Sequence, residues 1–319
     1  MKLKKTLSVV MAATLSMFTI AGCSSDAMSY SKEVNNLAKW EAVSSQFTGE
    51  VNVEAQGESK KLTFTGTSYN KGQDQVYVDF KFNDPSGEIN IPELKAYIDK
   101  GVTYMNKSYY VDTFTGNGQS APEALVNLPY EYIAIDSGMD MKAITEIAKS
   151  PDYLDNLGKM IFGDSNIGLP LVKNGREYSI NMNSDEMIDL FSKAAKAMAN
   201  NLDSSNSGLN LGFDAEKIKE IQTAIKDPSF DTTLNQAKTL IQGSTLSTKA
   251  TFTDNDYKSE MNINLQVKDM AKVNIKINAT SVKAEGKDIE IPASKTILKQ
   301  DELMKLMTPQ DVNDDATAA

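Results

Sequence analysis

From residue 30 onward the apolar residues change their period along the chain, from helical to alternating, back to helical, and to alternating again. Val34, Leu37, Trp40 and Val43 recur about every third residue and predict a helix over Tyr30 to Ser45. The period then falls to two. Phe47, Val51, Val53 and Ala55, then Leu62, Phe64 and Gly66, then Val76, Val78, Phe80 and Phe82 alternate with polar residues. Gln56-Gly57 and Lys71-Gly72 mark turns between these strands, so the stretch reads as an antiparallel meander with one wet face. Ile91 to Ile98 and Val102 to Tyr109 predict a further hairpin about Asp99-Lys100-Gly101, with Pro92 confined to an edge or a strand start. Tyr130 to Ile135 is the last strand of this block.

A helical block follows. Met141 to Lys149 has helical spacing, and Ser150-Pro151 starts another helix whose apolar stripe is Leu154, Leu157 and Ile161. Ile167 to Val172 and Glu177 to Met182 predict a hairpin closed at Asn174-Gly175. Ser184 is placed to cap a helix carrying Met187, Phe191, Ala194, Met198 and Leu202. After a Ser/Asn/Gly linker at Asp203 to Gly212, Asp214 caps a helix in which Phe213 could staple to Ile218. A last stripe, Phe230, Leu234, Ala237 and Ile241, ends at Gly243. Alternation then returns in Leu246, Ala250 and Phe252; in Tyr257, Met261, Ile263, Leu265 and Val267; and in Val273, Ile275, Ile277 and Ala279. Ile289-Glu290-Ile291-Pro292 echoes Ile89-Asn90-Ile91-Pro92, which fits two meanders of one style. The expectation is one α+β domain over 30–300, with β blocks at 47–135 and 244–291 around a helical block at 140–243, and a polar tail at 301–319.

The N-terminus has a different pattern. Met1 to Lys5 is basic, Leu7 to Ile20 is apolar but too short for a stop-transfer helix, and the stretch closes on Ile20-Ala21-Gly22-Cys23. That closing run resembles the lipobox of bacterial lipoproteins. The resemblance implies a cleaved signal peptide (1–22), cleavage between Gly22 and Cys23, and a diacylglycerol and palmitate anchor on Cys23, followed by a short tether at 23–29. Cys23 is the single cysteine of the chain and stands at the one position where the motif needs it. The implied location is the cell membrane, anchored by lipid on the extracytoplasmic face of a Gram-positive cell.

Composition narrows the chemistry. The 319 residues include no histidine, which excludes His-dependent triads and haem ligation, and a lone cysteine excludes structural disulfides and Cys/His zinc sites. Net charge is −10 and becomes −13 once Lys2, Lys4 and Lys5 are removed with the leader; with Arg176 as the only arginine, nucleic acid is a poor partner. Ser29-Tyr30-Ser31-Lys32 matches the S-x-x-K pattern of acyl enzymes but lacks a K-T-G or S-D-N companion. Asp254-Asn255-Asp256 and Asp311 to Asp315 offer carboxylates without an EF-hand register, so a solvated turn and a solvated tail are expected. No enzyme activity, metal or cofactor is expected.

Long antiparallel strands with a helical block across them resemble the half-barrel of LolA-like carriers and of the mycobacterial LprG and LppX lipoproteins. The run Tyr97-Ile98-Asp99-Lys100-Gly101-Val102-Thr103-Tyr104-Met105-Asn106 and the closing Glu290-Ile291-Pro292 are similar to surface lipoproteins of the clostridial type. The first resemblance implies a curved antiparallel sheet with helices packed on one face, enclosing an apolar cavity for acyl chains. The alternating faces nominate Val51, Val53, Leu62, Phe64, Val78, Phe80, Phe252, Met261, Ile263, Leu265, Val273, Ile275 and Ile277 as its lining. A packed core shows the same alternation, so core and cavity stay open here. The fifteen methionines suit either, as adaptable pocket lining or as gap-fillers. Two functions are therefore expected as alternatives: binding a lipid or other apolar ligand, or contacting an envelope protein through a surface to which Tyr97, Tyr104, Tyr109, Tyr110, Tyr130 and Tyr132 would contribute.

Overall fold

The computed structural model describes residues 25–72, 75–87, 91–99, 102–116, 118–136, 153–209 and 212–308. The leader with Cys23, the Met141 to Lys149 helix, its neighbouring Ser150-Pro151 cap and Asp311 to Ala319 lie outside the described residues. The described chain is an α+β protein with a large, open, mostly antiparallel sheet in the order β12-β6-β5-β4-β3-β2-β1-β11-β10-β9-β8-β7. Its strands are β1 (Ala42–Ala55), β2 (Glu58–Lys71), β3 (Gln75–Asn83), β4 (Leu94–Asp99), β5 (Val102–Asn106), β6 (Tyr132–Asp136), β7 (Leu171–Asn174), β8 (Glu177–Asn183), β9 (Thr245–Phe252), β10 (Asp256–Val267), β11 (Ala271–Ala284) and β12 (Lys295–Lys299). β12 runs parallel to β6, whereas β2 to β6 and β7 to β10 pair as antiparallel neighbours. The predicted meanders are thus present. At Gln56-Gly57 both residues have positive φ, +54° and +83°, the twist that a two-residue hairpin needs.

The helices are α1 (Ser25–Leu37), α2 (Lys107–Thr115), α3 (Glu123–Val126), α4 (Tyr153–Phe162), α5 (Ser184–Asn200), α6 (Leu202–Leu209), α7 (Ala215–Lys226), α8 (Pro228–Leu240) and α9 (Gln300–Met307). The chain divides into two compact units: residues 1–40, 51–59 and 140–280 form the first, and 41–50, 60–139 and 281–319 the second.

In the first unit, α1 packs on the face of the sheet that carries Tyr178, Ile180 and Met182 of β8 and Leu246, Ala250 and Phe252 of β9. Ala27, Tyr30, Val34 and Leu37 form its inner side, at the helical spacing that brings them onto one face. The Tyr30 ring, 2% exposed, stands edge-on to Tyr178 at 5.3 Å and to Phe252 at 5.6 Å. Arg176 ties the helix from outside. It lies at the tip of the β7–β8 hairpin, where Gly175 (φ +63°) occupies the first turn position. Its guanidinium donates two bonds to the Glu33 carboxylate, at 2.9 and 2.7 Å, and one to Asp254 at 2.7 Å. Those two carboxylates raise the Arg176 pKa further above its ordinary value.

In the second unit, α2, α3 and α9 cover the end of the sheet formed by β5, β6 and β12, through Tyr110, Phe114, Leu125 and Leu303 over Ile133 and Met105. Further along that face, Gly66 pairs with Phe80 and Phe64 with Phe82. A side chain at Gly66 would collide with the Phe47 ring, so glycine is what lets Phe47 lie across β2 and reach Phe80, 5.6 Å between centroids.

Several expectations are corrected. Of the tether expected at 23–29, residues 25–29 are helical, because α1 already begins at Ser25; the same helix stops at Leu37, well before Ser45, since Ala42 enters β1 and ladder bonding outweighs the three-residue spacing of Trp40 and Val43. The strand expected to reach Tyr109 ends at Asn106, whose buried side chain accepts from Lys95 N at 2.8 Å and donates to Glu93 O and Ser108 Oγ. Tyr109, Tyr110 and Val111 favour strands locally, yet Tyr110 and Phe114 are buried as one helical face. The polar stretch from Asp203 holds α6, where Ser205 Oγ donates to Met160 O at 2.7 Å. The residues from 301 are not wholly a tail, because α9 runs to Met307 and buries Leu303. Asn183, not Ser184, caps α5, accepting from Asp185 N and Glu186 N while Glu186 accepts from Asn183 N.

Two outcomes follow from these cores. Tyr30→Ala is expected to cost about 3–5 kcal/mol in urea unfolding, as for other buried aromatic truncations, whereas Lys32→Ala on the exposed side of α1 stays within about 0.5 kcal/mol. Burial pushes Tyr110 up to about 12, and burial with the neighbouring Tyr97 does the same to Tyr132. A tyrosine raised in the folded state contributes stability that is present below its unfolded pKa of about 10 and lost as pH climbs through the folded value. Unfolding free energy is therefore expected to fall between about pH 10 and 12, and Tyr110→Phe should flatten that decline.

Candidate functional site

The first unit's sheet face is built in rows across the strands. Ile180, Thr248 and Met261 form one row over β8, β9 and β10, and Met182, Leu246 and Ile263 form the next on the same face. Leu265 follows by alternation on β10; on β11, Val273, Ile275 and Ile277 share the more buried side, with Ile275 buried and the others half-buried.

Helix α5 lies against β8 and is flanked by α4, α6, α7 and α8. Its polar side is tied to α8 by Lys196–Asp231 and Lys238–Asp189, both 2.6 Å. Helical geometry puts Met187, Leu190, Phe191, Ala194 and Met198 on the opposite side. Met187 and Leu190, in the first two turns, pack against the sheet cluster. Phe191 and Met198 continue that side, yet they are 56% and 43% exposed. Small residues, Ala195, Ala197 and Ala199, take the buried positions beside them. The helix thus meets the sheet cluster at its N-terminal end and leaves an open apolar stripe toward its C-terminal end. The sequence presents Met187, Phe191, Ala194 and Met198 as an ordinary packing stripe, and nothing in their spacing distinguishes an occupied face from an open one.

The nominated cavity residues divide between the units. Val51, Val53, Phe252, Met261, Ile263, Leu265, Val273, Ile275 and Ile277 belong to the first, and Leu62, Phe64, Val78 and Phe80 to the second. Within the first, Phe252 is closed in by the rings of Tyr30, Tyr178 and Tyr257, and Val51 is buried; Val53, Ile263, Leu265, Val273 and Ile277 are half-buried. Within the second, Phe64 and Phe80 stack at 5.2 Å, and Leu62 and Val78 share their face by alternation and register.

The other face of the second unit's sheet carries tyrosines. Tyr69 pairs with Tyr77, Tyr77 with Tyr97, and Tyr97 with Tyr104, while the Tyr132 ring meets Tyr97 at 5.4 Å. The connection from β11 to β12 is bonded to this face. Tyr69 Oη donates to Glu285 O at 2.6 Å and accepts from Lys287 N at 2.7 Å, Lys71 pairs with Asp288, and Gln75 accepts from Ile289 N at 3.2 Å. A parallel β12–β6 pairing requires such a crossover. Of the other nominated tyrosines, Tyr110 is buried in the helical core and Tyr130 is exposed in a loop.

The remaining chemical candidates are placed as follows. Ser29, Tyr30, Ser31 and Lys32 lie within α1, with Tyr30 and Ser31 buried and Lys32 exposed. Asp254 is paired with Arg176, and Thr253 Oγ1 accepts from Asn255 N and Asp256 N in a closed turn. Among the described residues no three His, Cys, Asp or Glu side chains gather to hold a metal, and no helix is long and apolar enough to cross a membrane.

No family model matches this chain, and no curated protein does. Solved structures give distant likenesses. One is described as showing lipid–protein interactions in lipovitellin, with 6% identity, 80% of this chain and 26% of that chain covered, and a TM-score of 0.24. Another is a bifunctional dehydratase-cyclase domain from ambruticin biosynthesis, with 9% identity, 86% and 80% coverage, and a TM-score of 0.15. The chain spans about a quarter of the lipovitellin chain, and both scores lie well below those of chains that share a fold.

If the α5 stripe is open, Phe191→Ser and Met198→Ser should each change unfolding free energy by no more than about 0.5–1 kcal/mol. Ala197→Leu, at a buried position of the same helix, should cost about 1–3 kcal/mol by overpacking. A loss at Phe191 as large as that of a buried phenylalanine would show that the stripe is packed.

Proposed function

We propose that this chain is a non-enzymatic bacterial lipoprotein, anchored by lipid on the extracytoplasmic face of the cell membrane, that holds a lipid or another apolar ligand against the inner side of α5 and the sheet face of the first unit. The observation that carries the reading is the apolar stripe of α5, which continues the side packed on the sheet and yet leaves Phe191 and Met198 exposed. Apolar side chains left open in line with a packed core are what a ligand site for hydrocarbon presents. The finer fold that goes with this reading is the LolA-like and LppX-like half-barrel, whose apolar cavity receives acyl chains.

The anchor rests on Ile20-Ala21-Gly22-Cys23 and on the basic and apolar segments before it. Two or more acyl chains, at about 0.8 kcal/mol per buried CH2, give durable attachment without a transmembrane helix. Helix α1 starts two residues after Cys23, and two residues span at most about 7 Å. The first unit is therefore held close to the bilayer. The alternative, an envelope-protein contact through the tyrosines, is less well supported, because Tyr104 and Tyr110 of that set are buried.

Two measurements test the proposal. Cys23→Ala in the full chain should abolish detergent-phase partitioning and leave the leader uncleaved; partitioning that survives the substitution would remove the anchor. Native mass spectrometry of the protein extracted from membranes should show a hydrophobic adduct that Phe191→Asp with Met198→Asp removes. An adduct unaffected by both aspartates, or none in the parent protein, would favour the envelope-contact function.

A further inference from the structure

We infer that α1 is the membrane-facing element of the first unit: its outer row, Met28, Lys32 and Asn36, with Lys39 in the turn that follows, lies on the bilayer and meets anionic lipid headgroups. This deepens, and rests on, the lipid-anchor reading above. Met28, Lys32 and Asn36 recur at every fourth residue and are exposed, Met28 at 51%. Ala27, Tyr30, Val34 and Leu37 take the side packed on the sheet, so the outer row points away from it. Ser25 follows Cys23 by two residues, a span of at most about 7 Å, and Met28 stands about 5 Å further along the helix axis. Acyl chains fixed on Cys23 therefore bring the Met28 side chain within reach of the bilayer. Among the described residues, Met28 is the exposed large apolar side chain nearest the anchor in sequence.

The charge of the row selects the lipid. The chain is net acidic, and an anionic bilayer repels most of such a surface. The outer row, by contrast, carries two lysines and no carboxylate. Of the two acids of α1, Glu33 is bound at both carboxylate oxygens by Arg176, and Asp26 is half-buried. Lys39 Nζ donates to Asn36 Oδ1 at 3.3 Å, which holds that ammonium beside the row. A single exposed methionine is ordinary on a protein surface. One beside an acyl anchor, in line with two lysines, is what an interfacial helix presents: the thioether settles at the acyl boundary and the lysine stems carry their charges to the phosphates.

The test uses the full chain, processed and lipid-anchored, in vesicles of phosphatidylcholine with phosphatidylglycerol. Lipidation occupies Cys23, so a cysteine introduced at one position at a time accepts an environment-sensitive fluorophore. The positions are Met28→Cys, Asn36→Cys and, as reference, Val172→Cys; Val172 is 61% exposed and alternation with Leu171 puts it on the other face of the sheet from α1. All three side chains are exposed, so the substitutions should leave the melting temperature unchanged. The labels at Met28 and Asn36 should emit at shorter wavelength on the vesicles and be quenched by spin-labelled lipid, and the label at Val172 should do neither. Lys32→Glu with Lys39→Glu should remove the quenching at Asn36. A label at Asn36 quenched no more than the one at Val172, in protein that floats with the vesicles, would overturn this inference and leave the anchor standing. Quenching at Asn36 that the two glutamates do not change would overturn the contact with anionic headgroups. Protein that does not float with the vesicles would overturn both the inference and the anchor.

Discussion

The seating of α1 on the sheet is the interaction on which the first unit depends. Tyr30 inserts edge-on against Tyr178 and Phe252, and Arg176 grips Glu33 from the hairpin tip, so an apolar wedge and a bidentate ion pair hold the same helix. The ion pair is partly solvent-exposed and contributes mainly direction; the aromatic contact supplies most of the burial. Because α1 and the first turns of α5 share one cluster, together they cover the part of the face around Tyr178, Leu246 and Ile263. What they leave uncovered is the inner side of α5 beyond Leu190. An open stripe in line with a closed core is the structural basis of the proposed ligand site, and the closed core fixes where it begins.

The second unit solves a different problem with the same kind of sheet. Its phenylalanine face buries rings on rings, and a glycine at position 66 makes room for Phe47 to cross a strand. Its tyrosine face stays polar enough to bond a crossing segment, through Tyr69 and Gln75, on the way to β12. Without that crossing, β12 could not lie parallel to β6, and α9 would not be delivered to the core that holds Leu303.

Much of this was legible in the sequence where local rules and the fold agree. Alternation at Leu62, Phe64 and Gly66 and at Phe80 and Phe82, with Gln56-Gly57 between β1 and β2, specified hairpins that the structure contains. Asp214 was readable as a cap, and its carboxylate accepts from Lys217 N at 2.7 Å. Where tertiary contacts decide, the reading failed. The residues from 301 read as a polar tail, yet α9 runs to Met307 and burial of Leu303 orders it. Tyr109 to Val111 favours a strand, and only the core beneath α2 makes it helical. For the candidate site, the alternating residues marked the apolar face of each unit but not that they belong to two units. Phe191 and Met198 were visible as a stripe, and their exposure depends on where α5 meets the sheet, which no local pattern encodes.

The central claim, that hydrocarbon lies along the inner side of α5, is tested most directly by photo-cross-linking. The full chain would be loaded with an alkyl chain bearing a terminal diazirine and the adducts mapped by peptide mass spectrometry. The account predicts adducts on α5 between Phe191 and Met198 and on β8, the strand that α5 lies against. Adducts confined to other surfaces, or labelling no greater than that of a heat-unfolded control, would contradict it.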